Sequence, residues 1–399
     1  MTEVSVLFVN YNTWRELAFA LESLERAPPS RSGKPVPYEV IVVDNASPQP
    51  PGPWEERIRA SLARQSGVLV MHHENGGYST GMNLAYAKSR GRYVLVSNPD
   101  VIYLPRCIEL LVERLEQDST IGTTAPEIFW DEGQECRLPP NILPTLSDLA
   151  RLTLAALSPK WVRRYSEKRV RDALVVWTTT SDVDLAMLSG CCFLMARSFI
   201  TEIGFFDERF PLYYEDTDLS VRILKAKKRI VQVHGSRLVH LYNRSGQTDL
   251  ALTMSRYWKS RRRYYDKWYG AVGRLCIDFS AWILSTKWGK RRQALPRQNK
   301  ITDLGTSHDK PTIEVPRRCE KLLIEISLDP SFYLAAAVLA SGERWSPSNA
   351  LFANFGPTTF YFRALEVKGA DAELLGVYRY TLVYPAVVYP RPEPAGAAG

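Results

Sequence analysis

Three absences bound what this sequence can encode. No apolar run reaches the roughly 18 or more residues of a membrane-crossing helix. The start, Met1-Thr2-Glu3-Val4, has neither a basic region nor a signal-like apolar block, so the expected location is the cytoplasm. Cysteine is scarce and unpatterned: Cys107, Cys136, Cys191, Cys192, Cys276 and Cys319 show no CxxC spacing and one adjacent pair. That argues against a zinc site and a disulfide framework, and the thiols are read as reduced. Neither a G-x-G-x-x-G after the first strand nor a G-x-x-x-x-G-K-[ST] loop is present, so dehydrogenase and NTPase readings lose their main support. What is present is a chain of 399 residues, 45% hydrophobic and 11% aromatic, able to bury a large core in two or more domains. Its formal charge of +8 favours an anionic partner: nucleic acid, a membrane surface or a phosphorylated substrate. Charge alone does not choose among these.

The chain is organised around residues 93–101, a Tyr, Val and Leu run that stops at Asn98-Pro99-Asp100. It reads as a buried parallel strand whose carboxyl end delivers a carboxylate to a crevice. Other strand ends repeat the pattern. Residues 4–9 end in Asn10-Tyr11-Asn12-Thr13, ahead of a helix carrying Leu17, Leu21 and Leu24. Residues 39–43 end in Asp44, and residues 68–72 lead to Asn75-Gly76-Gly77 and on to Asn83. Strand, polar turn and helix in succession predict a parallel sheet with right-handed crossovers, which puts these turns on one edge. Asn75, Gly76, Gly77 and Gly81 read either as an ordinary turn or as backbone that a diphosphate can approach.

Residues 126–180 are irregular, with an amphipathic helix near 143–157 and a basic stretch at 160–171, read as an insertion near the site. The strand at 184–196 is interrupted at Ser189-Gly190, which marks a bulge or a close approach by ligand. Tyr213-Tyr214 precede Glu215, Asp216 and Asp218, which open a helix. Acids there suit the helix dipole and equally suit a catalytic cluster.

Phe8-Val-Asn-Tyr-Asn12, Val43-Asp-Asn45, Asn75-Gly-Gly77 with Asn83, Asn98-Pro-Asp100, Ser189-Gly190, Phe205-Phe-Asp-Glu208, Tyr214-Glu-Asp-Thr-Asp-Leu219 and His240 stand in this order. Together they resemble glycosyltransferase family 2, and within it the bacterial rhamnosyltransferase-like members, over residues 4–245. The resemblance implies a GT-A fold, a Rossmann-like α/β domain that uses a nucleotide-diphosphate sugar, usually with Mg2+ or Mn2+, and inverts the anomeric carbon by single displacement. It also implies roles. Asn10 and Asn12 match the first-strand turn, and Asp44 the carboxylate that receives the pyrimidine N–H. Asn75, Gly76, Gly77 and Asn83 match the segment beside the diphosphate. Asn98 and Asp100 match the two ends of the family's DXD motif, Asn98 replacing its first acid, with Asp100 on the metal and His240 joining the metal shell. Asp216 matches the general base, with Glu215 placing the acceptor. Gly190 falls on the acceptor side, and Asp218 either orients the acceptor or pairs with Arg222 four residues on.

The expected function is transfer of a sugar, first L-rhamnose from dTDP-rhamnose, to a saccharide acceptor carried on a lipid, in assembly of a bacterial surface polysaccharide. A catalytically silent sugar-nucleotide or glycan-binding relative is the alternative, because Asn98 removes one anionic ligand. Residues 256–292 carry eleven Lys/Arg against Asp266 and Asp278, interleaved with Tyr and Trp. That composition suits peripheral contact with an anionic membrane, at the inner face of the plasma membrane, or a basic helix packing its aromatics on the catalytic domain. No nucleic-acid-binding motif accompanies it. The expected organisation is a catalytic domain at 1–245, a basic aromatic helical segment at 246–292 and a linker at 293–318. A small β-sandwich-like domain at 319–389, a route to homo-oligomers, and a disordered tail at 390–399 complete it.

Overall fold

The computed structural model describes residues 2–241, 250–298 and 300–383. The chain forms two compact units: residues 1–128, 140–153 and 178–286, and residues 129–139, 154–177 and 287–399.

In the first unit β1 (Val4–Asn10) pairs in parallel with β2 (Tyr38–Asn45), which pairs in parallel with β3 (Val68–His72). On its other side β1 pairs in parallel with β4 (Tyr93–Ser97). Helices α1 (Trp14–Arg26), α2 (Trp54–Arg64) and α3 (Tyr78–Lys88) make the crossovers. The pleat divides β1 between two cores. Val4, Val6 and Phe8 pack with Leu17, Leu21 and Leu24 of α1, while Leu7 and Val9 pack with Met82 and Ala85 of α3. Burial on both faces is why β1, β2 and β4 read as nearly unbroken apolar runs. The order β3-β2-β1-β4 reverses direction beside β1, so a crevice opens at the carboxyl ends of β1 and β4.

Further along, β5 (Val101–Tyr103) leads to α4 (Cys107–Gln117) and β6 (Ile121–Phe129). Strand β7 (Cys192–Ala196) lies antiparallel to β4, with Cys192 opposite Ser97. After α5 (Arg197–Ile203) and α6 (Glu215–Lys225), β8 (Arg229–His240) returns antiparallel to β5 and sets His240 opposite Val101. The last element, α7 (Leu250–Ser285), breaks at Gly270, where φ is 58° and ψ −141°. Ion pairs Arg262–Asp278 at 2.8 Å and Arg274–Asp266 are both centred on that glycine, so the halves fold back as an antiparallel hairpin. Tyr264 and Tyr265 of its first half and Ile277 of its second bury against Phe210 and Leu149.

The second unit is one mixed sheet. Strands Thr302–Ser307, Asp371–Leu382, Thr359–Lys368, Ile313–Ser327, Ala336–Trp345 and Cys136–Arg137 lie side by side in that order. Helix Pro159–Trp177 covers one face, packing Val170, Ala173, Leu174 and Trp177 on Leu323, Ala337, Leu365 and Val367. Trp345, Phe355, Phe360 and Phe362 fill the other face.

This arrangement differs from the expected organisation in four ways. The C-terminal region is a single sheet with a helix on it, not a sandwich of two sheets. Residues 293–318, expected as a linker, contain the strand Thr302–Ser307 and the start of Ile313–Ser327. The former is an edge strand with mostly exposed side chains, so only its backbone pairing distinguishes it from a polar linker. In the region expected as an insertion near the site, the basic stretch is part of helix Pro159–Trp177, which belongs to the second unit because its apolar stripe fits that sheet, while residues 146–153 of the preceding helix belong to the first. Finally, the basic segment is not a separate part: residues 250–285 form a hairpin within the catalytic unit, and residues 287–292 belong to the second unit. The tail expected at 390–399 lies outside the described residues. Among the described residues no helix is long and apolar enough to cross a membrane, and all six cysteines are free.

Candidate active site

The parallel register places Asn10 beside Asp44 at the ends of β1 and β2. The Asn10 amide donates to Asp44 Oδ1 at 2.7 Å and to Ser47 Oγ at 3.2 Å. Ser47 donates its backbone N–H to Asp44 Oδ2 at 3.1 Å. The backbone N–H of Asn12, at φ 59°, donates to Ser47 Oγ at 2.7 Å. Asp44 is therefore a fixed, buried carboxylate with lone pairs left to accept a ligand N–H. Ser47, which sequence reasoning passed over, ties the two turns together; its signal was the polar turn directly after Asp44.

Asn75 organises the glycine segment. Its Oδ1 accepts from Asn45 at 3.1 Å, from the Gly77 N–H at 3.2 Å and from Arg256 of α7 at 2.9 Å, and Arg256 also donates to the Asn75 carbonyl at 2.7 Å. Gly77 has φ +96°, and a Cβ there would sit 2.3 Å from the Pro211 carbonyl oxygen. Only glycine satisfies both conditions. Asn45 Oδ1 is buried with no partner among the described residues. Arg256 and Asn45 thus join the site. Asn45 adjoined a flagged residue, whereas Arg256 is far away in sequence and gave no local signal. Asn83 turns elsewhere. Its amide donates to the Phe206 carbonyl at 2.9 Å and to Glu208 at 3.0 Å, and its Oδ1 accepts from the Phe206 N–H. It fastens α3 to the 205–208 turn, and this replaces the expected place beside the diphosphate.

Asp100 and His240 meet because β5 pairs with β8. His240 Nε2 lies 3.3 Å from Asp100 Oδ1, both residues are buried, and the Leu241 N–H donates to the Asp100 carbonyl at 2.9 Å. Burial opposes charge on the imidazole, but the Asp100 carboxylate and then Cys191 outweigh it and hold His240 up at about 10. The Asn98 backbone N–H donates to the Cys191 carbonyl at 2.8 Å. Among the described residues no three His, Cys, Asp or Glu side chains converge as a metal cage. The Asp100 carboxylate, with the His240 imidazole once a metal displaces its Nε2 proton, is a donor set that leaves sites for phosphate and water oxygens, which suits Mg2+ or Mn2+ held together with a diphosphate.

On α6, Asp216 Oδ2 accepts the Gly190 N–H at 3.1 Å and Oδ1 accepts the Thr217 N–H at 2.6 Å. Its side chain is fixed by backbone donors and remains partly exposed. Burial raises its pKa against those hydrogen bonds. Glu215 is buried, and its Oε2 has no hydrogen-bond partner among the described residues. Burial, then the Asp216 charge, pushes Glu215 well above the usual carboxylate range. Tyr78, also unforeseen, donates to the Gly190 carbonyl at 3.2 Å. Tyr213 and Tyr214, at φ 61° and 69°, bend the chain into α6. Asp218 is fully buried on the inward side of the same turn, with Arg222 at 2.9 Å, Lys267 at 2.6 Å and the Trp268 indole at 3.0 Å. It pairs with Arg222 and braces α7, so it is withdrawn from the acceptor set. Helical geometry sends positions 216 and 218 to different sides.

Residues 5–162 match the model of the family described as Glycosyl transferase family 2. The chain carries a family 2 glycosyltransferase domain. It is 28% identical over 282 residues to the N-acetylglucosaminyl-diphospho-decaprenol L-rhamnosyltransferase of Mycobacterium tuberculosis, from strains CDC 1551 / Oshkosh and H37Rv, covering 65% of this chain and 83% of the relative. The solved mannosyltransferase PcManGT from Pyrobaculum calidifontis, in complex with GDP-Man and Mn2+, overlaps 73% of each chain at 14% identity and a TM-score of 0.45. GalNAc-T7, solved with UDP, GalNAc and Mn2+, overlaps 94% of this chain and 72% of its own at 15% identity and a TM-score of 0.47. Likeness at this level says nothing about site geometry. The family 2 match spans β1 to β6 and their helices, which include Asn10, Asp44, the glycine segment and Asp100. The chain is a nucleotide-sugar glycosyltransferase.

Proposed function

We propose that this glycosyltransferase moves a 6-deoxyhexose, L-rhamnose from dTDP-rhamnose in the first instance, onto a saccharide carried on a lipid diphosphate, with inversion. The observation that carries the reading is Asp216, a carboxylate pinned by the Gly190 and Thr217 backbone N–H groups and left partly open. The rhamnosyltransferase name of the 28% identical relative favours the sugar and the lipid-linked acceptor.

In this mechanism Asp44 accepts an N–H of the donor's pyrimidine, and the Asn75–Gly77 backbone, braced by Arg256, lies beside the diphosphate. Asp100 and His240 would hold a divalent ion, which when bound neutralises charge on the diphosphate leaving group. Asp216 takes the proton of the acceptor hydroxyl as that oxygen bonds to the anomeric carbon and the bond to the diphosphate breaks. Its raised pKa makes it a stronger base than an exposed aspartate. Burial and then the Asp216 charge favour the neutral form of Glu215, which reduces repulsion between the two carboxyls.

The test is thermal-shift screening against dTDP-, UDP- and GDP-sugars with and without Mg2+ or Mn2+, followed by transfer assays with the donor that binds. Metal-dependent stabilisation by dTDP-rhamnose and turnover to a rhamnosylated product are expected. Stabilisation without turnover on any acceptor would favour a silent sugar-nucleotide binder.

A further inference from the structure

Beyond Gly270 the second helix of the α7 hairpin has two unlike faces. Ile277 is buried against Tyr264, Tyr265 and Leu149, and Ser280 Oγ lies 2.7 Å from Thr153 Oγ1. On the opposite side Val272, Leu275, Phe279 and Trp282 are 58, 71, 59 and 58% exposed. Spacings of three, four and three residues align them in one stripe. The rings of Phe279 and Trp282 stand 5.6 Å apart. Their combined exposed area is of the few-hundred-Å2 order at which apolar patches mark interaction sites.

Charge selects the occupant. The hairpin, Leu250–Ser285, carries seven Lys/Arg and two acids, Asp266 and Asp278. Both acids are ion-paired, with Arg274 and Arg262. Lys259 and Arg263 add exposed cations to the same hairpin. A second copy meeting this face about a twofold axis would set basic surface against basic surface. An anionic bilayer matches both the charge and the stripe, with Trp282 at headgroup depth.

We propose that Val272, Leu275, Phe279 and Trp282 enter the headgroup region of an anionic membrane and dock the catalytic unit there as a peripheral protein. This deepens the reading of a lipid-borne acceptor. The hairpin's first half holds the site, through Arg256 on Asn75 and through Lys267 and Trp268 on Asp218. The element that braces the catalytic helix is thus the element that meets the lipid.

The test is flotation of the full-length protein with phosphatidylcholine vesicles, with and without phosphatidylglycerol, at low and high salt. Wild type should float with the anionic vesicles and be released by salt. Leu275→Ser/Phe279→Ser/Trp282→Ser should lower the bound fraction about tenfold or more, and Trp282→Ala alone by less. Both variants should keep the wild-type melting temperature, because the side chains removed are solvent-facing. Wild type that ignores vesicles, or a triple variant that floats equally well, overturns the proposal. So does light scattering that finds a wild-type dimer and a monomeric triple variant, which would assign the stripe to a second copy. Because flotation needs no donor, vesicle binding without any nucleotide-sugar thermal shift would overturn the donor reading and leave docking standing; the converse result would do the reverse.

Discussion

At the scale of single residues, the site rests on two neighbouring carboxylates that the fold treats differently. Asp216→Asn should lower transfer about 100- to 10,000-fold while donor affinity changes little; stopped assays together with donor titration would separate the two. The raised pKa of Asp216 should put the acid limb of kcat/KM above the ordinary aspartate range of about 4. Glu215 allows a stability test. Its folded pKa lies above an unfolded value of about 4.3, so its contribution to stability is fully present below that pH and lost as pH rises toward the folded pKa. Glu215→Gln cannot ionise. Its melting temperature relative to wild type should therefore climb between acidic and neutral pH, and a pH-independent difference would place Glu215 in an ordinary solvated setting.

At the scale of elements, turns and helix starts hold the site open. Gly77→Ala forces a side chain into positive φ and onto the Pro211 carbonyl. A loss of about 1 to 3 kcal/mol in denaturant melts is expected, together with weaker donor binding, since the proposed function sets the same backbone beside the diphosphate. Asp218 tests the opposite case. Asp218→Ala removes the buried carboxylate shared by Arg222, Lys267 and the Trp268 indole and should cost roughly 3 kcal/mol. The acceptor KM of the protein that remains folded should be unchanged; a large KM increase with unaltered stability would return Asp218 to the acceptor side. The acids of 215–218 were visible in the sequence, but their division of labour was not. Which face of α6 meets the cleft depends on where β7 and α7 pack, and neither is encoded within the helix.

At the scale of the whole molecule, the chain is not built as beads in sequence order. Helix Pro159–Trp177 depends on strands that appear 150 residues later to cover Val170, Ala173, Leu174 and Trp177. A protein ending at residue 286 should therefore expose that stripe and aggregate, whereas Trp177→Ser in the full chain should only lower the melting temperature; light scattering and thermal melts compare them. The sequence by itself determined the parallel strands, the crevice at their ends and the carboxylates Asp44, Asp100 and Asp216. Doubly buried strands must be continuous apolar runs, and a run's end is local information. Tertiary structure alone decided that Asn83 fastens a turn, that Asp218 is an ion-pair partner and that Arg256 reaches Asn75. It also decided that an exposed edge strand lay in the apparent linker. Each of these depends on pairing and packing between segments far apart in the chain, and no local periodicity or composition records which surfaces will meet.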